Sequence, residues 1–306
     1  VANLVKSMTN WIEILEKIKL ADYRALARAI TGVENELDGY LPFLSELKIN
    51  QEIPIVGITG PPGAGKSTLV NGLITEYSKL GKRVAVLAID PTSPFNFGSL
   101  LGDRIRMSSH FLEENVFIRS LATRGTLGGL SAKTIEICDV LRSFPFDMIL
   151  VETVGVGQSE IEIVGLADTT VLVLVPEAGD EIQGIKSGIM EIADIFVINK
   201  SDRAGADTFA NNIQKIIHEK NNEHQAPAVI KTIAAKHEGI DELVKLISEH
   251  KIKKTAEKKH LLLAEKAYRL IQNKRMKDVN KTALLADIQA ASAVPEFNLY
   301  QFITNY

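Results

Sequence analysis

Apolar residues recur along the chain with two different periods, and the switch between them marks three zones. In the first, Leu4, Met8, Trp11, Leu15 and Ile18 return at helical spacing, as do Leu26, Ile30, Val33 and Leu37. Gly39 and Pro42 then end the pattern, which predicts a helical prefix over residues 1–45. Short β-rich apolar runs follow at 53–59, 84–90, 116–120, 147–152, 169–175, 195–199 and 228–232, with helical stretches between them. Such alternation builds a mainly parallel sheet flanked by helices, so residues 46–250 read as an α/β domain. After about His250 the strands stop. A Lys-rich helical pattern runs on through 260–271 and 282–291 to Pro295. This tail, residues 251–306, has no core of its own and is expected to pack on the central domain or on another copy of the chain. There is no internal repeat or low-complexity stretch.

Composition narrows the class further. The chain has 306 residues, 45% hydrophobic and 24% charged, which excludes a disordered chain, a collagen-like repeat and a disulfide miniprotein. A single cysteine, Cys138, cannot form an internal disulfide and points to a reducing, cytoplasmic compartment. No apolar run approaches the roughly 18 residues of a membrane span. Residues 1–18 carry acidic side chains and do not read as a signal peptide, while a start at Val1 rather than methionine points to a removed segment. The net charge of −3 gives no general attraction to nucleic acid or anionic lipid. Between Lys245 and Lys281, however, 12 Lys and Arg face 4 Asp and Glu. The plain reading is a solvated helical face; the sharper one is a docking surface for an acidic partner.

The most specific motif is GPPGAGKS over residues 60–67, followed by Thr68, which fits G-x-x-x-x-G-K-[ST] and lies between an expected strand and an expected helix over 67–80. Gly63 and Gly65, with Ala64 between them, let main-chain N–H groups converge on phosphates at a helix N-terminus. Lys66 is placed to neutralise β and γ phosphates and Ser67 to offer its hydroxyl to magnesium. Asp90 stands where a ribose-binding acid would in a dinucleotide site, but the glycine spacing and the Lys-Ser pair argue against that rival. The loop therefore predicts a nucleoside triphosphate with Mg2+.

NKSD over residues 199–202 follows a strand well downstream. The Asp202 carboxylate can accept both N1–H and the amino group of guanine, whereas adenine would leave it facing an acceptor. GTP and GDP are thus favoured over adenine nucleotides, with Asn199 at the base's other edge and the Lys200 stem across the ring. Three acids are candidates near the metal: Asp90, Asp103 and Glu152. Gly155 can donate its N–H to a γ-phosphate, so the loop over 153–158 is placed to sense that group. The residue after Gly155 is Val156 rather than a water-orienting Gln, which predicts slow unaided hydrolysis with Lys66, Glu152 and Gly155 as the catalytic set. Gln158 and Gln183 are either substitutes for that Gln or ordinary polar loop residues.

Taken together, the sequence resembles the MeaB/ArgK (MMAA-like) GTPases that accompany adenosylcobalamin-dependent methylmalonyl-CoA mutase, a branch of the SIMIBI class of P-loop proteins. The resemblance rests on ALARAIT (25–31), GITGPPGAGKST (57–68), DPTSPF (90–95), LLGDRIRM (100–107), ATRGTLGG (122–129), VETVGVGQSE (151–160), GDEIQGIK (179–186) and NKSD (199–202). It implies a P-loop fold, a homodimer joined through C-terminal helices, and a G-protein chaperone. Such a protein would use GTP to gate adenosylcobalamin loading and to protect a cobalamin-dependent acyl-CoA mutase. It also implies that Ser67, Asp90, Asp103 and Glu152 surround magnesium, and that residues 178–189, with Asp180, Gln183 and Lys186, answer to the nucleotide and touch the partner. Two departures stand out: Ile233-Ala234 replaces a serine-alanine pair, which leaves only main-chain contact from Ala234 to the base, and Asn96-Phe97 replaces a small-residue stretch. A kinase passing the γ-phosphate to a transport protein is the rival activity, although no residue is marked as a base beside an acceptor. A nickel-insertion GTPase would want His or Cys at ligand spacing, and the six His are scattered.

Overall fold

The computed structural model describes residues 10–90, 107, 110, 112–122, 132–153, 163–179, 193–220, 226–253, 256–276, 278–292 and 297–305. Among the described residues seven strands form one sheet: β1 (Ile55–Thr59), β2 (Val84–Asp90), β3 (Val116–Ala122), β4 (Met148–Glu152), β5 (Thr169–Leu174), β6 (Ile195–Ile198) and β7 (Ala228–Lys231). Their spatial order is β3-β2-β4-β1-β5-β6-β7, and every pairing is parallel. All seven expected strands are present, with ends shifted by at most two residues. β1 starts at Ile55 rather than at residue 53, directly after Pro54, which has no N–H to give to a ladder.

Alternation within the strands assigns the two faces. Val171 and Val173 of β5 join Val56, Ile58, Leu69, Leu73, Ile74, Ile240, Leu243 and Ile247 in one core, where α4 (Lys66–Lys79) and α7 (Ile240–Lys253) cover the sheet. Leu172 and Leu174 point the other way, to Phe196, Ile198, Phe209, Ile213 and Ile217, under α6 (Ala206–Lys220). β1 sits at the centre with all five residues buried, as a strand covered on both faces requires.

The prefix forms α1 (Trp11–Lys19), α2 (Tyr23–Glu34) and α3 (Tyr40–Glu46). The helical pattern does not end at Gly39 and Pro42. Gly39 caps α3 in the left-handed region and Pro42 is its third residue, inside the first turn, where a missing N–H costs little. Trp11 donates its indole N–H to the Asp38 carbonyl at 2.7 Å and packs on Phe43. Tyr23 of α2 lies among Phe117, Phe144 and Phe146, and Arg119 of β3 pairs with Glu34 at 2.7 Å. Arg142, at the end of α5 (Ala132–Arg142), is 2% exposed; its guanidinium meets Asp168 at 2.5 Å and the Ile53 carbonyl at 3.0 Å. The same Asp168 oxygen accepts the Ile55 N–H at 2.8 Å, which anchors the lead into β1.

Residues 260–306 form a second compact unit. It holds most of α8 (Ala256–Arg275), then α9 (Lys281–Ala291) and α10 (Leu299–Phe302), the last two capped by Asn280 and Asn298. Leu263, Tyr268, Ile271, Leu285, Leu299 and Tyr300 are exposed there. Among the described residues no helix is long and apolar enough to cross a membrane.

Candidate nucleotide-binding site

The loop that carries the phosphate motif leaves the central strand β1 and opens α4. Gly60, Gly63 and Gly65 all hold positive φ, and at two of them a Cβ would also collide. At Gly60 (φ +140°) a Cβ would stand 2.1 Å from the Val173 carbonyl oxygen, and at Gly65 (φ +91°) it would stand 2.4 Å from the Asn199 amide nitrogen. Gly65 is also the N-cap of α4, with no side-chain cap, so the first-turn N–H groups and the positive end of the helix face the loop. Phosphate binding is the natural use of that geometry.

Lys66, 6% exposed, folds its ammonium over the loop and donates to the carbonyls of Gly60 at 2.8 Å and Pro61 at 3.1 Å. Ser67, also buried, donates its hydroxyl to Glu152 Oε1 at 2.7 Å, across 85 residues of sequence. Glu152 ends β4 beside β1, in register with Ile58 of β1 and Ala88 of β2. Asp90 ends β2 two residues beyond Ala88, on the same edge of the sheet. Thr153 reinforces this corner, its hydroxyl donating to Thr59 Oγ1 at 3.0 Å between two buried side chains. Thr68 lies exposed in the first turn of α4.

The base motif is bound to the phosphate loop by its own side chains. Asn199, 2% exposed, donates Nδ2 to the Ala64 carbonyl at 2.8 Å and accepts at Oδ1 from the Thr232 hydroxyl and the Ala234 N–H, both at 3.1 Å. Its amide therefore links three loops, and the second N–H of Nδ2 is the group left to reach a base. The Ala234 N–H, expected at the base, is held on Asn199, so a base contact would have to share or release it. Lys200 adopts φ +57° and donates Nζ to the Gly63 carbonyl at 2.7 Å. Asp202 is exposed, with Lys236 at 3.6 Å.

Hydrogen bonds thus join Gly63 to Lys200, Ala64 and Ala234 to Asn199, and Ser67 to Glu152, with Gly65 and Lys66 between them in the loop. Asp103, Gly155, Gln158, Asp180, Gln183 and Lys186 lie outside the described residues, as does the side chain of Asp90. Thr232 and Thr153 were missed by sequence reasoning. A Thr at the end of an expected strand carries no signature by itself; only the strand order β6-β7 puts Thr232 against Asn199.

Comparison with known proteins agrees with this geometry. The family profile of the methylmalonyl Co-A mutase-associated GTPase MeaB matches residues 26–292. GTPase ArgK of Escherichia coli is 35% identical over 262 residues, 80% of this chain and 77% of its own. The mitochondrial methylmalonic aciduria type A homolog of Mus musculus is 48% identical over 156 residues, 50% of this chain and 38% of its own. Among solved structures, a LAO/AO transport system kinase superposes with a TM-score of 0.68 at 27% identity, covering 91% of this chain and 86% of that one. The hydrogenase maturation factor HypB of Archaeoglobus fulgidus (TM-score 0.50, 18% identity, 79% and 98% coverage) shares the fold alone. With a parallel sheet, a phosphate loop locked to an NKSD turn and a match over most of its length, the chain belongs to the methylmalonyl-CoA mutase-associated GTPases of the MeaB family.

Proposed function

We propose that this GTPase gates the loading of adenosylcobalamin into an acyl-CoA mutase of the methylmalonyl-CoA mutase type and protects that enzyme. The family match over residues 26–292 carries the reading. The chemistry of the site supports it. Main-chain N–H groups at the start of α4 and the Lys66 ammonium take the phosphates, and Asp202 selects guanine. Ser67 Oγ and Glu152 Oε1 lie 2.7 Å apart beside the phosphate loop, a pair of hard oxygen donors suited to Mg2+. Bound Mg2+ would offset charge on the β and γ phosphates. Ser67 would be a direct ligand, and Glu152, Asp90 and Asp103 would hold its remaining sphere, in part through water. Gly155 would then report on the γ-phosphate, and Gln158, Asp180, Gln183 and Lys186 would pass that state to the mutase.

In the same reading residues 1–45 are a helical extension, 46–250 the GTPase domain and 251–306 an arm that joins two copies, its exposed Leu263, Tyr268 and Ile271 supplying apolar contact. The test is reconstitution with an adenosylcobalamin-dependent acyl-CoA mutase. Cofactor transfer to the mutase is expected to differ between GDP and a non-hydrolysable GTP analogue, and transfer indifferent to nucleotide would contradict the proposal. The likeness to a LAO/AO transport system kinase keeps a second reading, transfer of the γ-phosphate to a transport protein. With γ-labelled GTP, label only in inorganic phosphate supports the first reading and labelled acceptor the second.

A further inference from the structure

Asp202 can discriminate between bases only if its carboxylate is held in place, yet it is exposed and lies in a four-residue turn. That turn is closed by the Arg203 N–H donating to the Lys200 carbonyl at 3.0 Å. Both of its ends are pinned from outside. Lys200 reaches the Gly63 carbonyl at 2.7 Å, and Arg203 Nη1 meets Glu177 Oε1 at 2.5 Å. Glu177 belongs to the 3-10 turn Pro176–Gly179 that leaves β5, the neighbour of β6. The Arg203 hydrogen bond, with Lys200 adding to it, holds the Glu177 carboxyl below the usual glutamate range, so this carboxylate feels both ends of the turn. On the opposite side the residue that follows β7 supplies the matching anchor, where the Ser201 N–H donates to the Thr232 carbonyl at 3.1 Å.

We infer that Glu177 is a positioning residue for guanine selectivity: its pair with Arg203 fixes the 200–203 turn from the β5 side, so that both carboxylate oxygens of Asp202 meet the base together. The inference rests on the assignment of Asp202 to guanine. Neither Glu177 nor Arg203 is expected to touch the nucleotide. Because both side chains are about half exposed, water and salt screen the pair and the effect is small, roughly a two- to fivefold change in affinity.

Calorimetric titration of GDP and IDP into the full chain tests it, since IDP lacks the amino group and the GDP/IDP ratio reads Asp202's second hydrogen bond. Glu177→Gln and Arg203→Gln are each expected to weaken GDP roughly two- to fivefold while leaving IDP nearly unchanged, with the melting temperature preserved. The double variant should be no worse than either single one, and the reversed pair, Glu177→Arg with Arg203→Glu, should restore the ratio. An unchanged GDP/IDP ratio in the single variants, or losses that simply add in the double variant, would overturn the inference. Asp202→Asn is the control, expected to shift preference toward XDP. If it does not, the base assignment itself fails; if it does while Glu177→Gln leaves the ratio intact, only the role of Glu177 fails.

Discussion

Replacing Asn199 with alanine removes one side chain and cuts three contacts: Ala64 loses a donor, and the Thr232 hydroxyl and Ala234 N–H lose their acceptor. All three partner residues are at most 3% exposed, so water reaches the groups left behind poorly. At about 1 kcal/mol or more for each buried polar group left unpaired, the loss comes to roughly 3–5 kcal/mol. For a unit of this size about 2–4 °C of melting temperature follows each kcal/mol, which places the expected drop near 10 °C. The apo chain should show it, in thermal or urea unfolding followed by far-UV circular dichroism, because the contacts exist without nucleotide. Thr232→Val cuts one of the three and should cost about a third as much. Affinity for GDP should fall as well, since the phosphate loop loses its brace. An apo Asn199→Ala protein that melts within about 2 °C of the parent would refute the claim that this amide joins the base and phosphate loops.

Three further outcomes follow. Lys66→Ala is expected to abolish detectable GDP and GTP binding in calorimetry while leaving the circular dichroism spectrum intact. Arg142→Met takes the guanidinium away from the buried Ile53 carbonyl and from Asp168, which is partly exposed and keeps the Ile55 N–H, and should cost about 2–3 kcal/mol in urea unfolding, with GDP affinity of the folded protein retained. Asp147 is partly buried, which alone would raise its pKa, but the Arg83 N–H and Lys82 outweigh burial and lower it. Its stabilising effect is therefore complete above the ordinary aspartate range and lost as pH falls through the depressed value. Asp147→Asn should lower the melting temperature slightly at pH 7 and match the parent only once pH has fallen through that depressed value, which a pH series of melting curves reads.

The sheet was legible in the sequence because fully buried parallel strands leave unbroken apolar runs, as Val171–Leu174 and Ile195–Ile198 do on both faces at once. The phosphate loop was legible for a different reason: a helix start that binds phosphate needs glycines, Lys66 and Ser67 at fixed spacing. What lay hidden were contacts between elements far apart in the sequence. Ser67 and Glu152, Arg142 and Asp168, Arg203 and Glu177 are 85, 26 and 26 residues apart, and no local pattern brings them together. Asn199 shows the limit most clearly. Its motif names it as a base ligand, and its amide is in addition an internal brace, a role that depends on Thr232 lying one strand away. The short helix Tyr40–Glu46 was hidden by Gly39 and Pro42, two residues that end helices in the interior and start them at the first turn.

The central claim is that a single pocket reads both the phosphates and the guanine base. Calorimetry of the full chain with GTP, GDP and ATP, each with Mg2+ and again with EDTA, tests it directly. GTP and GDP are expected to bind with ATP at least about 100-fold weaker, as the mismatch between Asp202 and adenine requires, and removal of Mg2+ should weaken GTP more than GDP. Equal affinity for ATP and GTP, or no heat with either guanine nucleotide on folded protein, would contradict the account.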